Sequence, residues 1–72
     1  MDDELLKIFA HNIRIERTKK SLSQQQLAEL TGFSVPYISN IENAKHKISL
    51  ASAYEISKVL GKSIDEMLQK QN

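Results

Sequence analysis

A single glycine, Gly32, divides two short stretches that each open on a serine and each space their apolar residues for a helix. Before it, Ser23-Gln24-Gln25-Gln26 has the form of a capping box. The serine hydroxyl accepts from the amide of residue 26, and the Gln26 side chain reaches back to the amide of residue 23. Leu27, Ala28 and Leu30 are the apolar residues of this helix, which runs out at Thr31-Gly32. After the glycine, Ser34 is a good N-cap, and Pro36 falls in the first turn, where its missing N–H costs nothing. Glycine accepts the left-handed backbone that a sharp helix exit requires, so the pattern predicts two helices meeting at a bend. In the second of them Ile38 and Ile41 face one way. Pro36, Ser39 and Asn40 face the other, with Tyr37 at the edge.

The rest of the chain offers further helices of modest length. The spacing predicts a first helix over about residues 3–19, capped by Asp2 or Asp3, with Leu6, Phe9, Ala10 and Ile13 on one face. Arg17 falls on that same face, where a charge needs a partner. Ile8 and Ile15 make a separate stripe, and a helix apolar on two sides calls for a second internal contact or a partner surface. Residues 43–48 read as a polar, basic loop. A fourth helix over about residues 50–60 is capped by Ser49, carries Ala53, Ile56 and Leu60 on one face and is stopped by Gly61. Ser63-Ile64-Asp65-Glu66 repeats the capping-box pattern and opens a short fifth helix with Ile64, Met67 and Leu68. The expected fold is all-α, a compact bundle of about five short helices occupying residues 1–72 as a single domain.

Composition removes several classes of function. With no cysteine there are no disulfides or thiolate metal sites. Two histidines, His11 on a polar helix face and His46 in the loop, are a poor basis for a zinc site. Glu42 and His46 are four apart, but the helix is predicted to end between them, so they do not form a ligand pair. No nucleophile–base constellation, glycine-rich phosphate loop or pair of carboxylates is visible, and a non-enzyme without metal or cofactor is expected. The apolar runs are short and the chain begins acidic, which matches neither a membrane span nor a signal peptide. A soluble, cytoplasmic protein is therefore expected. A chain of 72 residues buries a limited share of its surface; with disulfides and metals removed, oligomerisation is the aid that remains. Net charge is only +1, yet residues 1–10 carry −2 and residues 11–47 carry +3. The positive excess sits in the middle half, a modest electrostatic footprint.

The features around Gly32 meet the needs of a helix-turn-helix unit over residues 24–43. Ala28 is small where the two helices cross closely, Gly32 supplies the turn, and Ile38 and Ile41 anchor the second helix. That anchoring leaves Pro36, Tyr37, Ser39 and Asn40 free to enter a major groove. Over roughly residues 9–68 the chain resembles the phage lambda-repressor and Cro-like helix-turn-helix family, also called the xenobiotic-response-element-type regulators. The resemblance is carried by Leu-Ser-Gln-Gln-Gln-Leu-Ala at 22–28, by Tyr-Ile-Ser-Asn-Ile-Glu-Asn at 37–43, and by Leu60, Ile64 and Leu68. Restriction–modification controllers and phage or plasmid repressors of similar length look like this.

The resemblance implies a sequence-specific transcriptional regulator, a homodimer that binds double-stranded DNA at a pseudo-palindromic operator. Its length leaves no room for a sensor domain, so no small-molecule ligand is expected. Val35, Pro36, Tyr37, Ser39 and Asn40 fall at the family's base-facing or base-edge positions. Gln24 and Ser34 open helices that grip phosphate in the family, and Asn43, Lys45 and Lys47 lie in a loop that follows the DNA backbone. Helix N-termini and lysines suit phosphate electrostatically. Asn40 is the best candidate for direct readout, since Asn bonds adenine N6 and N7 together, and Val35 and Pro36 offer apolar contact to a thymine methyl. Arg17 and Glu42 match a family ion pair joining the first helix to the end of the third, and the placement of Arg17 on the core face agrees.

The chain also departs from the family. Ala44 stands where glycine is common, which assigns the left-handed cap to Asn43, and Ile48 stands where proline is frequent. The usual base-reading glutamines of the recognition helix are absent. Competing readings remain for several residues. Tyr37, Ser39 and Asn40 also suit a solvated helix face, and Lys45, Lys47 and Arg14 also suit ordinary surface positions. The Ile8/Ile15 stripe fits a fifth helix packed on the first, or a dimer interface. The functional alternative is a helical protein-interaction module or an antitoxin-like regulator with a second protein partner.

Overall fold

The computed structural model describes residues 3–71 and shows five helices and, among those residues, no strand. They are α1 (Asp3–Lys19), α2 (Gln24–Thr31), α3 (Val35–Glu42), α4 (Leu50–Val59) and α5 (Ile64–Met67). The all-α bundle expected from the sequence is the fold that forms.

Serine starts four of the five helices for one physical reason: an extended residue with a short hydroxyl satisfies an amide that the helix cannot. Ser23 accepts from the Gln26 N–H at 3.0 Å, and its own N–H donates to Gln26 Oε1 at 2.8 Å. Ser63 and Glu66 close the same reciprocal pair at 3.0 Å in each direction. Ser34 and Ser49 cap α3 and α4 through the N–H groups of Tyr37 and Ser52. Asp3 lies inside α1 rather than capping it, and Asp2 lies outside the described residues.

The helix ends share a device that the sequence revealed at Gly32 and Gly61 only. Within two residues of the end of each of the first four helices the backbone turns left-handed: at Ser21 (φ 57), Gly32 (φ 80), Ala44 (φ 54) and Gly61 (φ 73). This conformation turns the next amide back onto the helix, as in Leu22 N–H to Arg17 O at 3.0 Å and Lys45 N–H to Asn40 O at 2.9 Å. The expectation that Asn43 would take the left-handed position is corrected. Asn43 has φ −94, and Ala44 makes the turn, because the Lys45 amide reaches the Asn40 carbonyl when residue 44 reverses the chain.

The core is shared by all five helices. Leu6, Phe9, Ala10 and Ile13 of α1 meet Leu27 and Ala28 of α2, Ile38 and Ile41 of α3, Ala53 and Ile56 of α4, Leu60 and Met67. Ile48 is also buried and pins the loop between α3 and α4 to the interior, which gives a packing reason for an apolar residue there. Each of the larger side chains, the Leu, Ile, Phe and Met, contributes on the order of 1.5–3 kcal/mol by leaving water. Leu30, by contrast, is largely exposed. α5 packs on α1 through Met67 and through Asn12, whose buried carboxamide donates to Met67 O at 2.7 Å and Gln69 O at 2.8 Å. Ile8 and Ile15 are half-buried and stand outside the core; Ile8 lines a shallow groove with Lys7, His11, Lys70 and Gln71.

Candidate nucleic-acid interface

The bend between α2 and α3 is built locally. Gly32 N–H and Phe33 N–H both donate to Ala28 O, at 2.9 and 3.1 Å. The Thr31 hydroxyl donates back to Leu27 O at 2.8 Å and accepts from Phe33 N–H at 3.4 Å. Ala28 is buried at the crossing. Ile38 and Ile41 are fully buried beneath α3, so the rotation of that helix about its axis is set by its apolar side. Its other side is consequently presented to solvent.

On that side the positions differ. Ser34, Val35 and Pro36 are exposed, with Val35 retaining 38% of its surface. Ser39 and Asn40 are half-buried, and among the described residues the side chain of Asn40 has no hydrogen-bond partner. Its carboxamide donor and acceptor are both available. Tyr37 stands apart from this group. Its ring meets Phe33 edge-on, with centroids 5.0 Å apart, and its hydroxyl donates to Ser52 Oγ at 3.0 Å. Tyr37 thus braces α3 against α4. The hydroxyl hydrogen of Tyr37 is thereby engaged within the protein.

The phosphate candidates also divide. The Ser34 hydroxyl is engaged as the α3 cap. Gln24 is half-buried and donates from Nε2 to Glu42 Oε1 at 3.2 Å, leaving one amide hydrogen and its backbone N–H for other contacts. Asn43 is exposed, and its Oδ1 accepts from Arg14 Nη2 at 3.3 Å. Lys45 and Lys47 are exposed and carry no ion pair among the described residues.

Arg17 and Glu42 meet as a two-pronged pair. Arg17 Nε donates to Glu42 Oε2 at 2.7 Å and Nη2 to Oε1 at 3.0 Å, while Nη1 donates to Leu22 O at 2.8 Å. The Glu42 side chain is completely out of solvent and that of Arg17 nearly so. One carboxylate thereby ties α1 to the start of α2 and the end of α3, fixing the two helices of the turn against the body.

Sequence reasoning missed four residues. Asn12 and Glu16 are buried polar groups on α1, and Gln71 Nε2 bridges them, to Asn12 Oδ1 at 3.0 Å and Glu16 Oε2 at 3.2 Å. Their signal was present in the spacing, since both lie in helical register with Phe9. Phe33 was passed over although it stands four residues before Tyr37. The fourth is Ser57, buried with no partner for its hydroxyl among the described residues. No three or more His, Asp or Glu side chains among the described residues cluster to hold a metal, and no helix is long and apolar enough to cross a membrane.

Two helices joined at a left-handed glycine, the second pinned by buried isoleucines and showing a polar outer side, define a helix-turn-helix protein. The pattern of the helix-turn-helix family matches residues 13–67, and the chain belongs to that family, in its lambda-repressor-like branch. It is a DNA-binding transcriptional regulator. Among its relatives, control protein C.SmaI of Serratia marcescens is 32% identical over 68 residues, covering 94% of this chain and 81% of the relative. The crystal structure of the hypothetical transcription factor NHTF from Neisseria superposes with a TM-score of 0.89 at 28% identity, covering 96% of this chain and 79% of that one. The restriction-modification controller protein C.AhdI from Aeromonas hydrophila superposes with a TM-score of 0.81 at 31% identity, covering 86% and 94%.

Proposed function

We propose that this protein regulates transcription by occupying a pseudo-palindromic operator as a homodimer, with α3 of each protomer in successive major grooves about 34 Å apart. The observation that carries this reading is the free carboxamide of Asn40 on the outer side of a helix anchored by Ile38 and Ile41. Val35, Pro36, Ser39 and Asn40 are the base-reading residues in this scheme. Tyr37, also a candidate for the base edge, acts there through its ring while its hydroxyl braces α4. Gln24, Ser34, Asn43, Lys45 and Lys47 contact the backbone phosphates. Residues 1–72 act as one DNA-binding domain in the cytoplasm, without a small-molecule ligand. The control and controller proteins among its relatives support a similar role in restriction–modification.

A second reading, a protein-interaction or antitoxin-like module, is favoured by one feature: Leu50 and Tyr54, one turn apart on α4, are 74% and 58% exposed. Selection of bound sequences from a random DNA pool separates the two. The DNA reading expects a two-fold symmetric site with half-sites about one helical turn apart. Asn40→Ala is then expected to cost roughly 1–3 kcal/mol of discrimination at one base pair of each half-site, leaving non-specific binding in place. Failure to bind any DNA even at low salt leaves the protein-partner reading standing.

A further inference from the structure

Arg14 has no role in the recognition scheme above, yet its surroundings differ from those of an ordinary surface arginine. It lies on α1 one turn before Arg17, and both guanidinium groups approach the single carboxylate of Glu42. They do so unequally. Arg17 is nearly buried and spends its three nitrogens on Glu42 and Leu22 O, so it neutralises that carboxylate. Arg14 touches Glu42 Oε1 only at 3.7 Å, and among the described residues its side chain makes one hydrogen bond, the 3.3 Å contact from Nη2 to Asn43 Oδ1. Its side chain keeps 55% of its surface. One carboxylate facing two guanidiniums leaves a full positive charge, and that charge resides on the exposed partner.

The position of this charge is informative. Gln24 Nε2 and Arg14 Nε meet the same oxygen of Glu42, at 3.2 and 3.7 Å, so the two side chains are neighbours across one atom. Asn43 flanks Arg14 on the other side. Arg14 thus stands between the first residue of α2 and the residue that closes α3, both assigned above to phosphate. Two long contacts orient its guanidinium without using up its hydrogens; Nη1 has no partner among the described residues. An arginine held in place yet unsatisfied matches a phosphate oxygen in both charge and donor geometry.

We infer that Arg14 binds a DNA phosphate, making α1 part of the interface, with Gln24 and Asn43 as its flanking contacts on the same backbone segment. The inference rests on the DNA-binding mode proposed above. The measurement is the salt dependence of binding to random-sequence duplex DNA, for the full chain and for Arg14→Gln and Arg14→Lys. One lost phosphate contact lowers the slope of log K against log salt by about 0.9, so the affinity drop between 50 and 200 mM salt shrinks about 3.5-fold in Arg14→Gln. Arg14→Lys, which keeps the charge, is expected to retain the parent slope. Thermal melting of Arg14→Gln is expected to stay close to the parent, because exposed pairs of this kind contribute little to stability. A parent that binds with a steep slope and an Arg14→Gln variant with the same slope would overturn the Arg14 assignment and leave the DNA-binding mode intact. A parent with no salt-dependent binding would overturn both.

Discussion

Arg17 and Glu42 face each other across the helix-turn-helix as a bidentate ion pair, with Nε–Oε2 at 2.7 Å, and the glutamate is sealed from solvent. Removing one partner leaves the other charged and buried, at a cost of about 3–5 kcal/mol. Glu42→Ala is therefore expected to lower the melting temperature steeply or to abolish cooperative unfolding. Glu42→Gln should fall in between, since it keeps one acceptor oxygen for Arg17 but no charge. An unchanged Tm in Glu42→Ala would refute the structural role given to this pair.

Among the described residues two left-handed positions carry side chains, Ser21 and Ala44. A Cβ in that conformation costs on the order of 1–2 kcal/mol, against which glycine loses about 0.4–1 kcal/mol to its freer unfolded chain. Ser21 is exposed and has little else to lose, so Ser21→Gly should stabilise by about 1 kcal/mol and raise Tm by roughly 4–8 °C for a domain of this size. Ala44 is half-buried and its methyl packs on the core, so Ala44→Gly should gain less. Calorimetry of the two variants side by side checks the order; a gain larger at residue 44 contradicts it.

Asn12 holds the C-terminal turn to α1 by two donated hydrogen bonds, to Met67 O and Gln69 O, and accepts one from Gln71. Asn12→Ala leaves buried carbonyls unsatisfied and should cost about 1–3 kcal/mol. Asn12→Asp should be worse near neutral pH, because it sets a carboxylate against those carbonyl oxygens. Hydrogen exchange should show residues 64–69 opening before α2 and α3. Uniform acceleration across the chain would argue against a local clasp.

The carboxyl of Glu66 is held below the ordinary glutamate value of 4.5, chiefly by the Ser63 backbone N–H, then by the Ser63 side chain, with the Lys62 charge assisting against slight desolvation. A depressed folded-state value means that this contact adds stability above pH 4.5 and loses it as pH falls through the folded-state value below 4.5. A carbon-detected titration should find the Glu66 midpoint below that of free glutamate, and Glu66→Gln should make α5 less sensitive to acid. A midpoint at the free value would show that the capping box is not closed in solution.

Features whose causes lie within a few residues of one another were legible along the chain. The serine caps, the bend at Gly32, the stop at Gly61 and the inward stripe of Ile38 and Ile41 each depend on contacts three to five residues apart, so residue order alone displays them. The outer positions of α3 followed from the same periodicity. Apart from the Arg17–Glu42 pair, which the family resemblance implied, residues that meet through space after packing were not legible. The Tyr37 hydroxyl reaches Ser52, Gln24 turns to Glu42, and Asn12 finds Met67 55 positions away. A polar side chain on a helix shows its spacing in the sequence but not the atom it will meet; that atom is supplied by a different helix once the core has closed. The left-handed turn at Ala44 belongs to this group too, because its Cβ cost is accepted where Ile48 and the end of α3 are already seated in the interior.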